Sequence, residues 1–155
     1  MHPAEEPDAG LPTDPDVGPG DAGVRFDVVV AIALGGALGA PARYEVSRLV
    51  HVAKDTFPWA TFWTNATGSV VLGFVLVLLI ERFPPSRYAR PFLAVGFLGA
   101  YTTMSTFMVE TALLVKDGRV AIAAMYVAAS VAAGFSAVWL GIAAGRALPR
   151  SAARR

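Results

Sequence analysis

Hydrophobic and polar positions divide the chain into four long apolar stretches separated by short charged breaks. The stretches run from about Phe26 to Val50, Trp59 to Ile80, Pro91 to Val115 and Val120 to Leu148. Each supplies the roughly 20 apolar residues needed to cross about 30 Å of hydrocarbon. Helices satisfy their own backbone groups in lipid, so the pattern predicts four transmembrane helices and an all-α membrane protein. The connections, His51 to Pro58, Glu81 to Arg90 and Lys116 to Arg119, are too short for a soluble domain. Any function therefore lies inside the membrane.

Composition supports the same class. Of 155 residues, 55% are apolar and 16% charged, with a mean hydropathy of +0.53. Soluble domains carry about 25% charged residues. A net charge of +1 argues against a nucleic-acid partner. The chain has no Cys, which excludes disulfides and thiolate metal sites. His2 and His51 lie outside the apolar runs, which argues against a buried zinc site.

Residues 1–24 read differently. They hold Glu5, Glu6, Asp8, Asp14, Asp16 and Asp21, half of the 12 acidic residues, with five prolines among them. Such a segment buries too little apolar surface to offset its ordering entropy, so a disordered tail is expected. It lacks a basic start and an apolar core, and is not read as a signal peptide. The expected organisation is a tail over 1–24, a four-helix domain over 25–148 and a basic tail over 149–155.

An even number of spans puts both termini on one side. That side, with the second loop, carries Arg25, Arg82, Arg87, Arg90, Arg146, Arg150, Arg154 and Arg155, eight in all. The other carries Arg43, Arg48, Lys54, Lys116 and Arg119, five in all. So small a bias is compatible with insertion in both orientations. Four helices alone have too little perimeter to enclose a water-accessible path and still pack, which motivates a dimer. Small residues at Gly35, Gly36 and Gly39, at Gly68 and Gly73, and at Gly134, Gly141 and Gly145 let backbones approach, within one chain or between two.

Polar residues inside the spans are costly and therefore informative. The second span holds Thr61, Thr64, Asn65, Thr67 and Ser69, with Thr61 and Asn65 on one face. An interhelical hydrogen bond and a donor lining an ion path both fit. The third runs Gly96-Phe97-Leu98-Gly99-Ala100-Tyr101-Thr102-Thr103-Met104-Ser105-Thr106-Phe107, with Glu110 beyond. A helix break here would free carbonyls that something must satisfy, a bound cation being one solution. A continuous helix whose Ser and Thr bond back to their own backbone is the other reading. The fourth holds Tyr126 and Ser130, four apart, which suit interfacial anchoring and packing as well as function.

Taken together these segments resemble the Fluc (CrcB) family of fluoride channels over residues 28–147. Gly35 to Tyr44 is similar to the family's Gly-rich first helix ending in Arg-Tyr. Thr61, Asn65, Gly68 and Ser69 match T-x-x-x-N-x-x-G-S. Gly96 to Phe107 with Glu110 resembles G-F-x-G-G-x-T-T-F-S-T-F…E, and Tyr126 and Ser130 match the spacing in the fourth helix. The resemblance implies passive, fluoride-specific export through an antiparallel, dual-topology homodimer in the inner (plasma) membrane, and no enzyme. A structural sodium (Na+) ion would be held by the carbonyls of Gly99 and Thr102 at a break in the third helix. The fluoride pathway would use Asn65, Thr61, Phe107, Ser130, Tyr126 and Glu110, with Arg43 at the vestibule. Met104 stands on that pathway where the family has Phe, Ala100 where it has Gly, and Gly134 where a hydroxyl is common.

The alternative is a small dual-topology multidrug or cation transporter. That class needs a membrane-embedded carboxylate in its first helix, where this chain has Asp27 and Glu45 only near the ends. A non-transporting membrane subunit is a third reading.

Overall fold

The computed structural model describes residues 25–50 and 56–149. Both expected tails lie outside the described residues, apart from Pro149. The described chain is helical throughout, with four helices long and apolar enough to cross a membrane: Phe26–Leu49, Trp59–Arg82, Pro91–Lys116 and Val120–Ala147. The expected spans lie within two residues of these at every end. The chain is thus a multi-pass membrane protein by the length and composition of its helices.

The first span is helix α1, Phe26–Leu49. The second is α2, Trp59–Val77, continued by a wider π turn over Leu78–Arg82, where the Phe83 N–H reaches the Leu78 carbonyl at 2.9 Å. The third is two helices. Its first half, α3, is wound as a π-helix over Pro91–Leu98 and closes as an α-turn over Gly99–Tyr101. Its second half is α4, Met104–Lys116, and the fourth span is α5, Val120–Ala147. Gly118, at φ +76°, takes the left-handed conformation that turns the chain from α4 into α5.

Two parallel pairs make the bundle. Asp27 meets Arg87 and Tyr88 at one end of α1, and Arg43 reaches Thr102 near the other, so α1 and α3 run in the same direction. Their backbones nearly touch: a Cβ on Gly39 would lie 2.1 Å from the Phe97 carbonyl oxygen, and one on Gly96 would lie 2.4 Å from that of Ile32. The α2–α5 pair uses the same device, Gly141 against the Val70 carbonyl at 2.1 Å and Gly73 against that of Val138 at 2.4 Å. With lipid outside, such close van der Waals packing holds helices together where the hydrophobic effect cannot. Among the described residues nothing lies within 4 Å of a Cβ placed on Gly134, so this glycine makes no close approach within one chain.

The ends are tied by charge. Arg82 donates to the carbonyls of Gly145 and Arg146 at the end of α5, at 3.3 and 2.9 Å, supplying donors to its orphan carbonyls. Arg146 in turn pairs with Glu81 at 2.7 Å. Large apolar side chains such as Phe135 and Trp139 face outward from α5, as lipid allows.

Candidate functional site

Thr102 and Thr103 are extended, at φ −76°, ψ 161° and φ −148°, ψ 121°, and they break the third span at this point. The break is therefore real but lies beyond the glycines. Gly99 keeps helical angles (φ −62°, ψ −35°), and Ala100 lies within the helical turn.

Three groups redirect the backbone here. The Thr103 N–H donates to Asn65 Oδ1 at 2.8 Å instead of to the Gly99 carbonyl. Asn65 Nδ2 donates back to the Thr103 carbonyl at 3.0 Å. The Thr106 N–H goes to Thr103 Oγ1 at 3.2 Å, an N-cap on α4, and not to the Thr102 carbonyl. Gly99 and Thr102 thus lose the donors a continuous helix would provide. The Thr102 carbonyl instead meets the Arg43 guanidinium at 3.4 Å. A carbonyl oxygen without its helix donor is the kind of ligand a hard cation takes; the Gly99 carbonyl has lost that donor, while the Thr102 carbonyl has the Arg43 guanidinium beside it.

The pairing also fixes the Asn65 amide. Its oxygen must face the Thr103 N–H and its nitrogen the Thr103 carbonyl, which leaves one amide hydrogen for another acceptor.

Next to the break, Glu110 on α4 collects two hydroxyls. Thr61 on α2 donates to Oε1 at 2.9 Å, and Tyr126 on α5 donates to Oε2 at 2.8 Å. Tyr126 is fully buried. Phe107 lies against it with ring centroids 4.9 Å apart, and Phe57 closes over it edge-on at 5.2 Å. The fold therefore brings Thr61, Glu110, Tyr126 and Phe107 into one cluster drawn from three helices.

Other expected residues stand apart from that cluster. Ser130 Oγ is buried and has no hydrogen-bond partner among the described residues. Met104, where the family has Phe, is 67% exposed, whereas Phe107, three residues further along α4, is 8% exposed. The two therefore have opposite surroundings, because Met104 opens α4 at the break while Phe107 points into the bundle.

Thr103 lines two cavities. One, of about 320 Å³, is bordered by Arg43, Tyr44, Ser47, Thr61, Thr64 and Thr106. The other, of about 310 Å³, is bordered by Asn65, Gly68, Ser69, Gly99, Thr102 and Met104. Sequence reasoning placed Arg43 at a vestibule but passed over Thr103 and Phe57. The T-x-x-T spacing of Thr103 and Thr106 was a capping signal. Phe57, in a connection, gave none.

The profile of the CrcB-like protein (Camphor Resistance, CrcB) family matches residues 30–142, a stretch that contains the break, the cluster and both cavities. The chain belongs to this family. Among CrcB-like relatives, the fluoride-specific ion channel FluC 3 of Streptomyces avermitilis is 47% identical over 123 residues, 79% of this chain and 60% of that protein. The chain thus spans somewhat less than two thirds of that relative's length. The fluoride-specific ion channel FluC of Hydrogenovibrio crunogenus is 43% identical over 76% of this chain and 90% of its own. FluC 1 of Streptomyces coelicolor is 43% identical over 77% of both.

Proposed function

We propose that this CrcB-like chain is a fluoride channel of the plasma membrane, exporting the ion passively and working as an antiparallel homodimer. The observation that carries the reading is the broken third span. At Thr102–Thr103, near the middle of the third span, the carbonyl end of α3 and the amide end of α4 meet. The first favours a cation and the second an anion, which suits an ion path and has no use in a packing subunit.

Fluoride is small and holds its water tightly, so a path must replace that water with donors. The remaining Asn65 amide hydrogen is one. The hydroxyls of Thr61 and Tyr126 are two more, at present given to Glu110. An arriving fluoride competes with the carboxylate for them, so Glu110 keeps the donors aimed and in reserve. Phe107 presents a ring edge, the positive part of its quadrupole. Arg43 raises the local anion concentration in its cavity. Gly99 and Thr102 would hold a sodium ion, whose chemistry is a fixed positive charge beside the anion route.

A second copy completes this arrangement. The cavity at Gly99 and Thr102 has the exposed Met104 on its border, so a facing copy would close it and double the carbonyl set. Against the multidrug-transporter reading, Asp27 is held by Arg87 and Tyr88, and Glu45 by Arg48. Neither sits free at the middle of α1 as a proton-exchanging carboxylate. Fluoride efflux from proteoliposomes tests the reading, and release no faster than from empty vesicles would overturn it.

A further inference from the structure

Two residues outside the family signature meet at the break. Tyr101 is the last helical residue of α3, and Thr67 lies on α2 one turn before Val71. Both occupy unspecified positions of the motifs quoted above. Their hydroxyl oxygens are 2.9 Å apart. Thr67 Oγ1 also lies 2.7 Å from the Trp63 carbonyl and 3.2 Å from that of Thr64, oxygens that can only accept and that share its single hydrogen. Tyr101 is therefore the donor to Thr67.

The Tyr101 ring is fixed from two further sides. It stacks on Phe97, with centroids 6.2 Å apart and planes 4° from parallel. It also lies over Gly68 beside the Thr102 methyl: a Cβ on Gly68 would meet that methyl at 2.4 Å and the ring at 3.2 Å. Asn65 holds Thr103, Gly68 seats Tyr101 and Thr102, and Thr67 takes the Tyr101 hydroxyl. All three lie on α2 and grip consecutive residues of the break.

We propose that Tyr101 and Thr67 form a positioning pair that sets the direction of the Gly99 and Thr102 carbonyls, and with it the affinity of the break for sodium. Neither side chain touches the ion. The pair acts by fixing the last turn of α3 against α2, so that the carbonyls on either side of Tyr101 are held before a cation arrives. Pre-ordering of this kind strengthens binding by removing the cost of ordering on arrival. The inference rests on the channel reading above, since sodium enters through it.

The experiment compares wild type with Tyr101→Phe, Thr67→Val, the double variant and Thr67→Ser. For each purified dimer, unfolding temperature is followed as sodium chloride replaces N-methylglucamine chloride, and fluoride efflux is recorded in vesicles. An intramembrane hydrogen bond of average strength corresponds to about threefold in an equilibrium constant. Tyr101→Phe and Thr67→Val should each raise the sodium concentration giving half-maximal stabilisation about three- to tenfold. The double variant should be no worse than the weaker single one, and Thr67→Ser should match wild type. Unchanged sodium midpoints in both single variants, or no sodium stabilisation of wild type, would overturn the pairing. Failure of the channel reading looks different: wild type itself would pass no fluoride.

Discussion

Asn65 and Thr103 hold each other through two hydrogen bonds, at 3.0 and 2.8 Å, between one side-chain amide and both backbone groups of one residue. The amide stands in for a strand that a membrane interior does not contain. It gives partners to an N–H and a C=O that would otherwise be orphaned in hydrocarbon, at several kcal/mol each.

Asn65→Asp should therefore fail twice. A carboxylate cannot donate to the Thr103 carbonyl, and it adds negative charge to an anion path. Loss of about 1–3 kcal/mol of stability is expected from the unpaired carbonyl, with fluoride flux near background. Thermal unfolding in detergent and vesicle efflux measure the two effects separately. Flux close to wild type would remove Asn65 from the pathway.

Ser130 offers the opposite separation. Its buried hydroxyl has no partner in the single chain, so Ser130→Ala removes an unsatisfied group. The unfolding temperature should stay level or rise, while fluoride efflux falls severalfold if the hydroxyl lines the path. Unchanged efflux would assign Ser130 to packing alone.

Glu110 accepts from Thr61 and Tyr126, and hydrogen bonds between side chains inside a membrane protein contribute about 0.6 kcal/mol on average and up to about 1.7 kcal/mol. Tyr126→Phe keeps the rings beside Phe57 and Phe107 and removes one donor. A loss of stability within that range is expected, with efflux reduced more than Ser130→Ala reduces it. Efflux equal to wild type would leave the tyrosine hydroxyl outside the route.

The glycines give a contrast in packing. Gly141→Ala drives a methyl into the Val70 carbonyl at 2.1 Å, for which overpacking costs of about 1–3 kcal/mol are typical. Gly134→Ala has open space around it, and a change within about 0.5 kcal/mol is expected for the separate chain. Equal losses at both sites in the assembled protein would show that a partner copy covers Gly134.

Much of this was legible in the chain. The apolar runs from Phe26 and Val120 mark their spans because a lipid-crossing helix needs length and apolarity alone, both local properties. The break was legible as a region, because Gly, Thr and Ser gather between Gly96 and Thr106. Composition alone leaves its position open, because glycine permits a break without requiring one, whereas the family pattern points to the carbonyls of Gly99 and Thr102, the two that lose their helix donors. Thr102 and Thr103 open it because Asn65, 38 residues away, captures the Thr103 backbone. The family pattern names Thr61, Glu110 and Tyr126 one by one, while their mutual bonding depends on how α2, α4 and α5 pack. Thr67 stands out only as one of several polar residues in the second span, and nothing in the sequence pairs it with Tyr101 until the fold brings them together.

The central claim is that the broken third span serves a fluoride path. The most direct measurement loads proteoliposomes containing the purified protein with potassium fluoride and dilutes them into fluoride-free medium. A fluoride electrode then records efflux after valinomycin shunts the membrane potential. The account predicts rapid release through verified dimers, little release of chloride from parallel vesicles, and near-background fluoride release from the Asn65→Asp variant. Fluoride release no faster than from empty vesicles, with dimers present, would contradict it.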